Sequence, residues 1–230
     1  MYMKKIGIIG AMTLEVTTLQ EHLKDKAERR FAGMSFWEGS FGNLSVVVAE
    51  CGIGKVNAAV CAQLMIDQFA VEAVVNTGIA GNMNPALSIC DMVLSETVVY
   101  HDKDLDMMKR YFPFCDRFSG DKALLSLAER AYEALAPDFR CIRGTVATGE
   151  QFIAGKAVKE DIASRLHPDC VEMEGGAIGH TAHINGVPFV VIRSISDNAD
   201  DGAGMSFENF MHKAAGNSAA LVLKMLELLD

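Results

Sequence analysis

Cys170-Val171-Glu172-Met173-Glu174-Gly175-Gly176 is a short apolar strand that delivers two carboxylates and then breaks on a glycine pair. An unpaired charge buried in an apolar run is costly, so carboxylates at such a place point to function before structure. The pattern recurs downstream, where Val187-Pro188-Phe189-Val190-Val191-Ile192 runs straight into Arg193-Ser194-Ile195-Ser196-Asp197. Two strands thus end in acidic groups. In open α/β sheets ligands bind outside the carboxyl ends of the strands, which makes this pair of ends the first place to look for a site.

The bulk composition narrows the class. With 230 residues, half of them hydrophobic, the chain suits one α/β domain spanning 1–230. A formal net charge of -9 argues against nucleic acid, whose phosphates ask for a basic patch. No apolar stretch approaches the roughly 20 residues that span a bilayer, and Ile6-Gly7-Ile8-Ile9 is too short for a secretory core, so a soluble protein without a membrane partner is expected. The six cysteines are dispersed with no CxxC pair, which reads as free thiols in a reducing cytoplasm.

Along the chain, strand-like runs alternate with helical ones. Residues 5–9 form a strand ending at Gly10, and a helix opens at Ala11-Met12-Thr13-Leu14-Glu15-Val16 and continues through Leu19 and Leu23, with Thr13 placed to cap it. The glycines do not make a GxGxxG fingerprint and no Walker lysine follows, so no dinucleotide cofactor is expected. Glu15, in the first turn, reads from spacing alone as a surface glutamate favoured by the helix dipole. Residues 34–41 and 44–50 alternate around Gly42-Asn43 as a hairpin. Gly52-Ile53-Gly54-Lys55 then opens a helix running through Val56, Val60, Leu64 and Phe69, with Lys55 either a phosphate ligand or a solvated lysine.

Ala73–Thr77 is a buried strand closed by a loop at Gly78–Asn82, and residues 91–100 form a strand leading to His101-Asp102. That pair reads either as catalytic or as a loop histidine tied to its neighbouring carboxylate. Residues 103–120 carry Met107, Met108, Tyr111, Phe112 and Phe114 without periodicity, the mark of an association surface. Helices over 121–136 and 156–166 flank a strand at 143–148, after which Phe152 is either core or a stacking platform. Gly175-Gly176-Ala177 lets the next helix pack closely, and His180 and His183 share one of its faces without a third group to make a metal site. After Asp197 an acidic, solvated loop leads to a C-terminal helix beginning near Ser206.

Together these pieces resemble the methylthioadenosine/S-adenosylhomocysteine nucleosidases of the nucleoside phosphorylase superfamily. The resemblance runs nearly end to end, through Ile8-Ile9-Gly10-Ala11-Met12 with Glu15, Gly52-Ile53-Gly54-Lys55-Val56, Asn76-Thr77-Gly78 with Ala80-Gly81, Tyr100-His101-Asp102, Val171-Glu172-Met173-Glu174 and Val190–Asp197. It implies a three-layer α/β/α sandwich around a twisted mixed β-sheet, a cytoplasmic homodimer, no cofactor, no metal, and an adenine nucleoside thioether as substrate with water as nucleophile. In that family's chemistry Asp197 protonates the leaving adenine at N7, Glu15 activates the water, Glu174 holds the ribose hydroxyl, and Arg193 places the water or holds Glu15. Ser196 would orient Asp197, Phe152 would stack on adenine, backbone groups at Ile153 would read its edge, and Met173 would lie under the sugar. Met12, Ile53 and Phe207 would line the 5′-alkylthio slot, completed by the partner's 103–118 segment, with Ile79 and Gly81 on the same substrate side. Glu172, grouped with the substrate-side residues, should point across the strand from Glu174 and serve a supporting salt bridge. Ile79 stands where relatives carry a small hydroxylated residue, and Asn82 where glycine is common. The rivals are a purine nucleoside phosphorylase, disfavoured because Asn76 and Ile79 replace phosphate-binding groups, and a non-catalytic nucleoside binder, disfavoured by three retained acids.

Overall fold

The first strand shows how the layers arise. In β1 (Lys5–Gly10) successive side chains face opposite ways: Ile6 and Ile8 enter one apolar cluster and Ile9 the other. The same alternation in β4 (Leu44–Glu50) sends Val46 and Val48 to one side and Val47 and Ala49 to the other. A computed structural model describes residues 4–230. One cluster is covered by α2 (Lys55–Phe69) and α6 (Gly175–Ile184), the other by α1 (Thr13–Glu21), α4 (Lys122–Leu135) and α7 (Ala203–Leu229), while α5 (Lys156–Leu166) packs Ile162 and Leu166 into a smaller cluster with Val99 and Val171. A mixed sheet between helices on both faces is the arrangement anticipated.

The remaining strands are β2 (Lys24–Phe31), β3 (Met34–Phe41), β5 (Ala73–Asn82), β6 (Met92–Tyr100), β7 (Arg117–Ser119), β8 (Cys141–Thr148), β9 (Cys170–Glu172) and β10 (Phe189–Asp197). Their order is β10-β6-β8-β9-β5-β1-β4-β3-β2, with β7 beside β6, and β10 also pairs parallel with β5. That second pairing closes β5, β9, β8, β6 and β10 into a ring. β1, β5 and β10 run parallel, so their carboxyl ends meet on one side of the sheet. β9 runs antiparallel to β5, with Val171 opposite Gly81, and brings Glu172 back among those ends.

Several local expectations change. Thr13 is the first helical residue and not the cap; Met12 occupies the cap position, and the Thr13 hydroxyl donates to Glu50 (3.0 Å). The stretch Gly78–Asn82 is not a loop but the buried end of β5, paired with β10 as far as Gly81. β2 was not anticipated, because Lys24–Arg30 is exposed throughout and shows no apolar alternation; it forms by pairing along β3. α7 begins at Ala203, a turn earlier than Ser206. His180 stacks on Phe118 with ring centroids 4.5 Å apart, and His183 lies 5.3 Å from the same ring. In the 103–118 segment α3 (Leu105–Arg110) leads into Tyr111, Phe112 and Phe114, which are exposed with Met107.

Candidate active site

Glu15 is buried, and not the surface glutamate that spacing suggests. It sits one turn into α1, and its carboxylate turns back onto the orphan amides there: Oε2 accepts from Ala11 (2.7 Å) and Met12 (3.0 Å), while Oε1 accepts from Ile79 N–H (3.1 Å) on β5. Burial raises its pKa above the ordinary carboxylate value, against the opposing pull of Arg193 and these amides. Gly78 makes the close approach possible, since a Cβ there would fall on Arg193 Nη1 and Glu15 Oε1.

Glu172 and Glu174 part company because β9 stops at Glu172 and Glu174 becomes the cap residue of α6. Glu172 Oε2 accepts from the amides of Glu174 (3.1 Å) and Gly175 (2.6 Å) and from Arg193 Nε (3.1 Å) and Nη2, while its Oε1 accepts from the Thr148 hydroxyl. This is the supporting salt bridge expected of it, although Glu172 also faces the cavity. Arg193, wholly buried, donates through Nη2 to Asn76 Oδ1 as well (2.6 Å), and its Nη1 has no hydrogen-bond partner among the described residues. It forms no ion pair with Glu15 and is not among the cavity's lining residues; its ion pair is with Glu172, while its charge still favours the ionised form of Glu15. Burial disfavours the guanidinium charge, but Glu172, Glu174 and Glu15 outweigh it and leave its pKa above the usual value.

Glu174 Oε1 accepts from Gly54 N–H (2.9 Å), and Oε2 lies 3.6 Å from Arg193 Nη2. Burial first, and the Glu172 charge second, push its pKa up to about 7. Asp197 closes β10 at a register shift after Ile195, accepting from Ser196 Oγ (2.8 Å) and Ala199 N–H (2.8 Å). Burial raises its pKa too, in spite of both bonds. Ser196 Oγ also reaches Ala80 O (3.3 Å). A hydroxyl has one proton to give, so Ser196 can accept from a protonated Asp197 while donating to Ala80.

These groups surround a cavity of about 430 Å³. Met12, Ile53, Ile79, Gly81, Phe152, Met173, Ser196 and Phe207 line it with Glu15, Glu172, Glu174 and Asp197, while Ile153 lines a small recess beside Phe152. Phe152 and Phe207 meet edge to face at 5.6 Å across the cavity wall, so Phe152 is not core. Sequence reasoning missed Ala11, Ala80, Val171, Gly204, Glu208 and Met211. Positions 204, 207, 208 and 211 form one face of α7, and extending the helical spacing from Phe207 would have found them. The cavity's charged lining is entirely carboxylate, with no lysine or arginine.

Lys55 and the His101-Asp102 pair lie outside the cavity lining. Lys55, its side chain partly exposed, has its Nζ 2.7 Å from both oxygens of Asp102. Asp102 is engaged there and with Glu150 N–H (2.8 Å), so it is not tied to His101, and neither residue lines the cavity.

Comparison with known proteins shows the family. The sequence model of the phosphorylase superfamily matches residues 5–227. A 5′-methylthioadenosine/S-adenosylhomocysteine nucleosidase from Actinobacillus succinogenes is 40% identical over 98% of this chain and 100% of its own. The nucleosidase of that name from Colwellia psychrerythraea, solved in complex with adenine, superposes with a TM-score of 0.94 at 37% identity, covering 99% of this chain and 96% of that one. The one from Neisseria meningitidis, in complex with methylthio-immucillin-A, gives 0.93 at 33% identity over 98% and 99%. A cavity ringed by buried acids at the carboxyl ends of β1, β5 and β10, on a fold shared with these proteins over nearly its whole length, places the chain in the phosphorylase superfamily, among the 5′-methylthioadenosine/S-adenosylhomocysteine nucleosidases, which are N-glycosyl hydrolases.

Proposed function

We propose that the protein hydrolyses the N-glycosidic bond of 5′-methylthioadenosine and S-adenosylhomocysteine, releasing adenine and the free thioribose. The observation that carries this reading is that three buried acids, Glu15, Glu174 and Asp197, face one cavity beside the Arg193-bound Glu172, with no lysine or arginine in the described lining. Breaking the bond builds positive charge on the sugar, and an acidic cavity favours such an oxocarbenium-like transition state. Asp197, whose pKa burial raises, gives its proton to N7 as the C1′–N9 electron pair leaves with adenine. Water bonds to C1′ and yields its proton to Glu15. Glu174 accepts the ribose hydroxyl and favours the cationic ring.

Arg193 contributes as a buried cation: paired with Glu172 and close to Glu174, it also favours the ionised form of Glu15, which a water base needs. Adenine lies against Phe152 with its edge toward the Ile153 backbone, the sugar rests on Met173, and the alkylthio group enters the slot of Met12, Ile53 and Phe207. The exposed Met107, Tyr111, Phe112 and Phe114 fit a second subunit of a cytoplasmic homodimer, whose 103–118 segment would complete that slot.

The test is incubation with methylthioadenosine in phosphate-free buffer and again with phosphate, identifying the sugar released. Free methylthioribose without phosphate is expected. A sugar 1-phosphate formed only with phosphate would make the protein a phosphorylase, and binding without adenine release a non-catalytic binder.

A further inference from the structure

Two irregular segments contribute to the cavity lining. The 51–54 loop supplies Ile53 and the Gly54 N–H that holds Glu174, and the 149–154 loop supplies Phe152 and Ile153. Loops left to themselves move, yet the sugar and base must be held in fixed relation, and a misplacement of about 1 Å can cost about a hundredfold in rate. The motif residues left without a place in the mechanism, Lys55 and Asp102, lie where these two loops meet.

Lys55 Nζ is bonded to both oxygens of Asp102 (2.7 Å each) and lies 3.7 Å from Glu150 Oε2. Asp102 Oδ2 also accepts the backbone N–H of Glu150 (2.8 Å). The Glu150 carboxylate in turn accepts the backbone N–H of Lys55 (3.1 Å). The circuit therefore closes through backbone at both loops. Successive amides at the start of α2 grip two different acids, Gly54 inward to Glu174 and Lys55 outward to Glu150. Gly54 has φ +100, and a Cβ on it would collide with Glu150 Oε1, so the glycine is what lets this carboxylate reach the helix start. Behind them the His101 ring packs against Gly149, where a Cβ would likewise collide. The lysine and aspartate side chains are only 17% and 28% exposed, sheltered enough for the ion pair to matter more than an open surface one.

We propose that Lys55, Asp102 and Glu150 are positioning residues that lock the base-side loop to the sugar-side loop, so that Phe152 and the Gly54–Glu174 bond are set together. This rests on the nucleosidase reading above, but its first readout is binding and not turnover. In calorimetry with adenine, Lys55→Met and Asp102→Asn each weaken binding about fivefold to tenfold, and Lys55→Arg restores it to within about twofold. In turnover of methylthioadenosine, both variants raise KM and lower kcat, because one cluster serves both loops. The double variant is no worse than the worse single one, since either change opens the circuit. Circular dichroism checks folding, and Asp102→Asn, nearly isosteric, carries the test if Lys55→Met does not fold. Adenine affinity and kcat/KM within about twofold of the unmodified protein in Asp102→Asn, or losses that add in the double variant, would overturn the proposal while leaving the nucleosidase reading intact. An unmodified protein that neither binds nor releases adenine would overturn that reading, and the cluster's role with it.

Discussion

Replacing Glu174 with glutamine should make the protein more stable and less active, and the gain should grow with pH. Burial chiefly, and the nearby Glu172 charge secondly, push the Glu174 pKa up from an ordinary 4.5 to about 7. A carboxyl whose pKa is raised by folding contributes stability that is fully present below the unfolded value and lost as pH rises through the folded one. At about 1.36 kcal/mol per tenfold, the rise from 4.5 to about 7 amounts to about 3 kcal/mol lost by pH 8.5, of which less than about 1 kcal/mol is lost at pH 5. Glutamine never ionises and escapes that loss, and its carbonyl can still accept from Gly54 N–H. Urea denaturation of both proteins at pH 5 and 8.5, at one protein concentration, reads the difference directly. The variant should be more stable by about 3 kcal/mol at pH 8.5, with the advantage small at pH 5, while kcat falls because the sugar loses its anion. An advantage that is equal at the two pH values, or a variant less stable at pH 8.5, would refute the reasoning.

Other outcomes follow from neighbouring contacts. Asp197→Asn keeps the acceptor for Ala199 N–H but has no proton to give, so adenine release should fall by about 10²–10⁴, and near-normal turnover would remove Asp197 as the acid. The unmodified enzyme should lose rate with rising pH as Asp197 ionises and with falling pH as Glu15 takes a proton; both limbs should lie above the usual carboxylate range, since burial raises both groups. Glu172→Gln leaves the buried Arg193 with Asn76 and the more distant Glu174, and should cost about 3–5 kcal/mol in chemical denaturation. Gly78→Ala puts a methyl group onto Arg193 Nη1 and Glu15 Oε1, and should lower kcat by about a hundredfold with a smaller change in KM.

Much of the site could be read along the chain because its acids break a local rule. Glu172, Glu174 and Asp197 stand at the ends of apolar strands, where charge is expensive, and that anomaly is visible without coordinates. The residues that were misread are those whose neighbours come from far away. Glu15 obeys every rule for a surface first-turn glutamate; it is buried because β5 passes over it, sixty-four residues on, offering Ile79 N–H. Lys55 could be read two ways, as a phosphate ligand or a solvated lysine, because its partners, Asp102 and Glu150, lie forty-seven and ninety-five residues away. β2 was hidden for a related reason: its residues are exposed, and only the edge of β3 makes a strand of them.

By itself, then, the sequence determined the layered α/β plan, because side-chain periodicity is a local property, and it marked the strand ends where acids gather. Tertiary structure decided what each acid does. β9 stops after three residues, so Glu172 turns to Arg193 and Glu174 to the cavity, and the pairing of β10 with β5 closes the ring that brings Asp197 alongside them. Burial and proximity, which set the protonation of these acids, belong to no stretch of chain alone and come into being when distant strands meet.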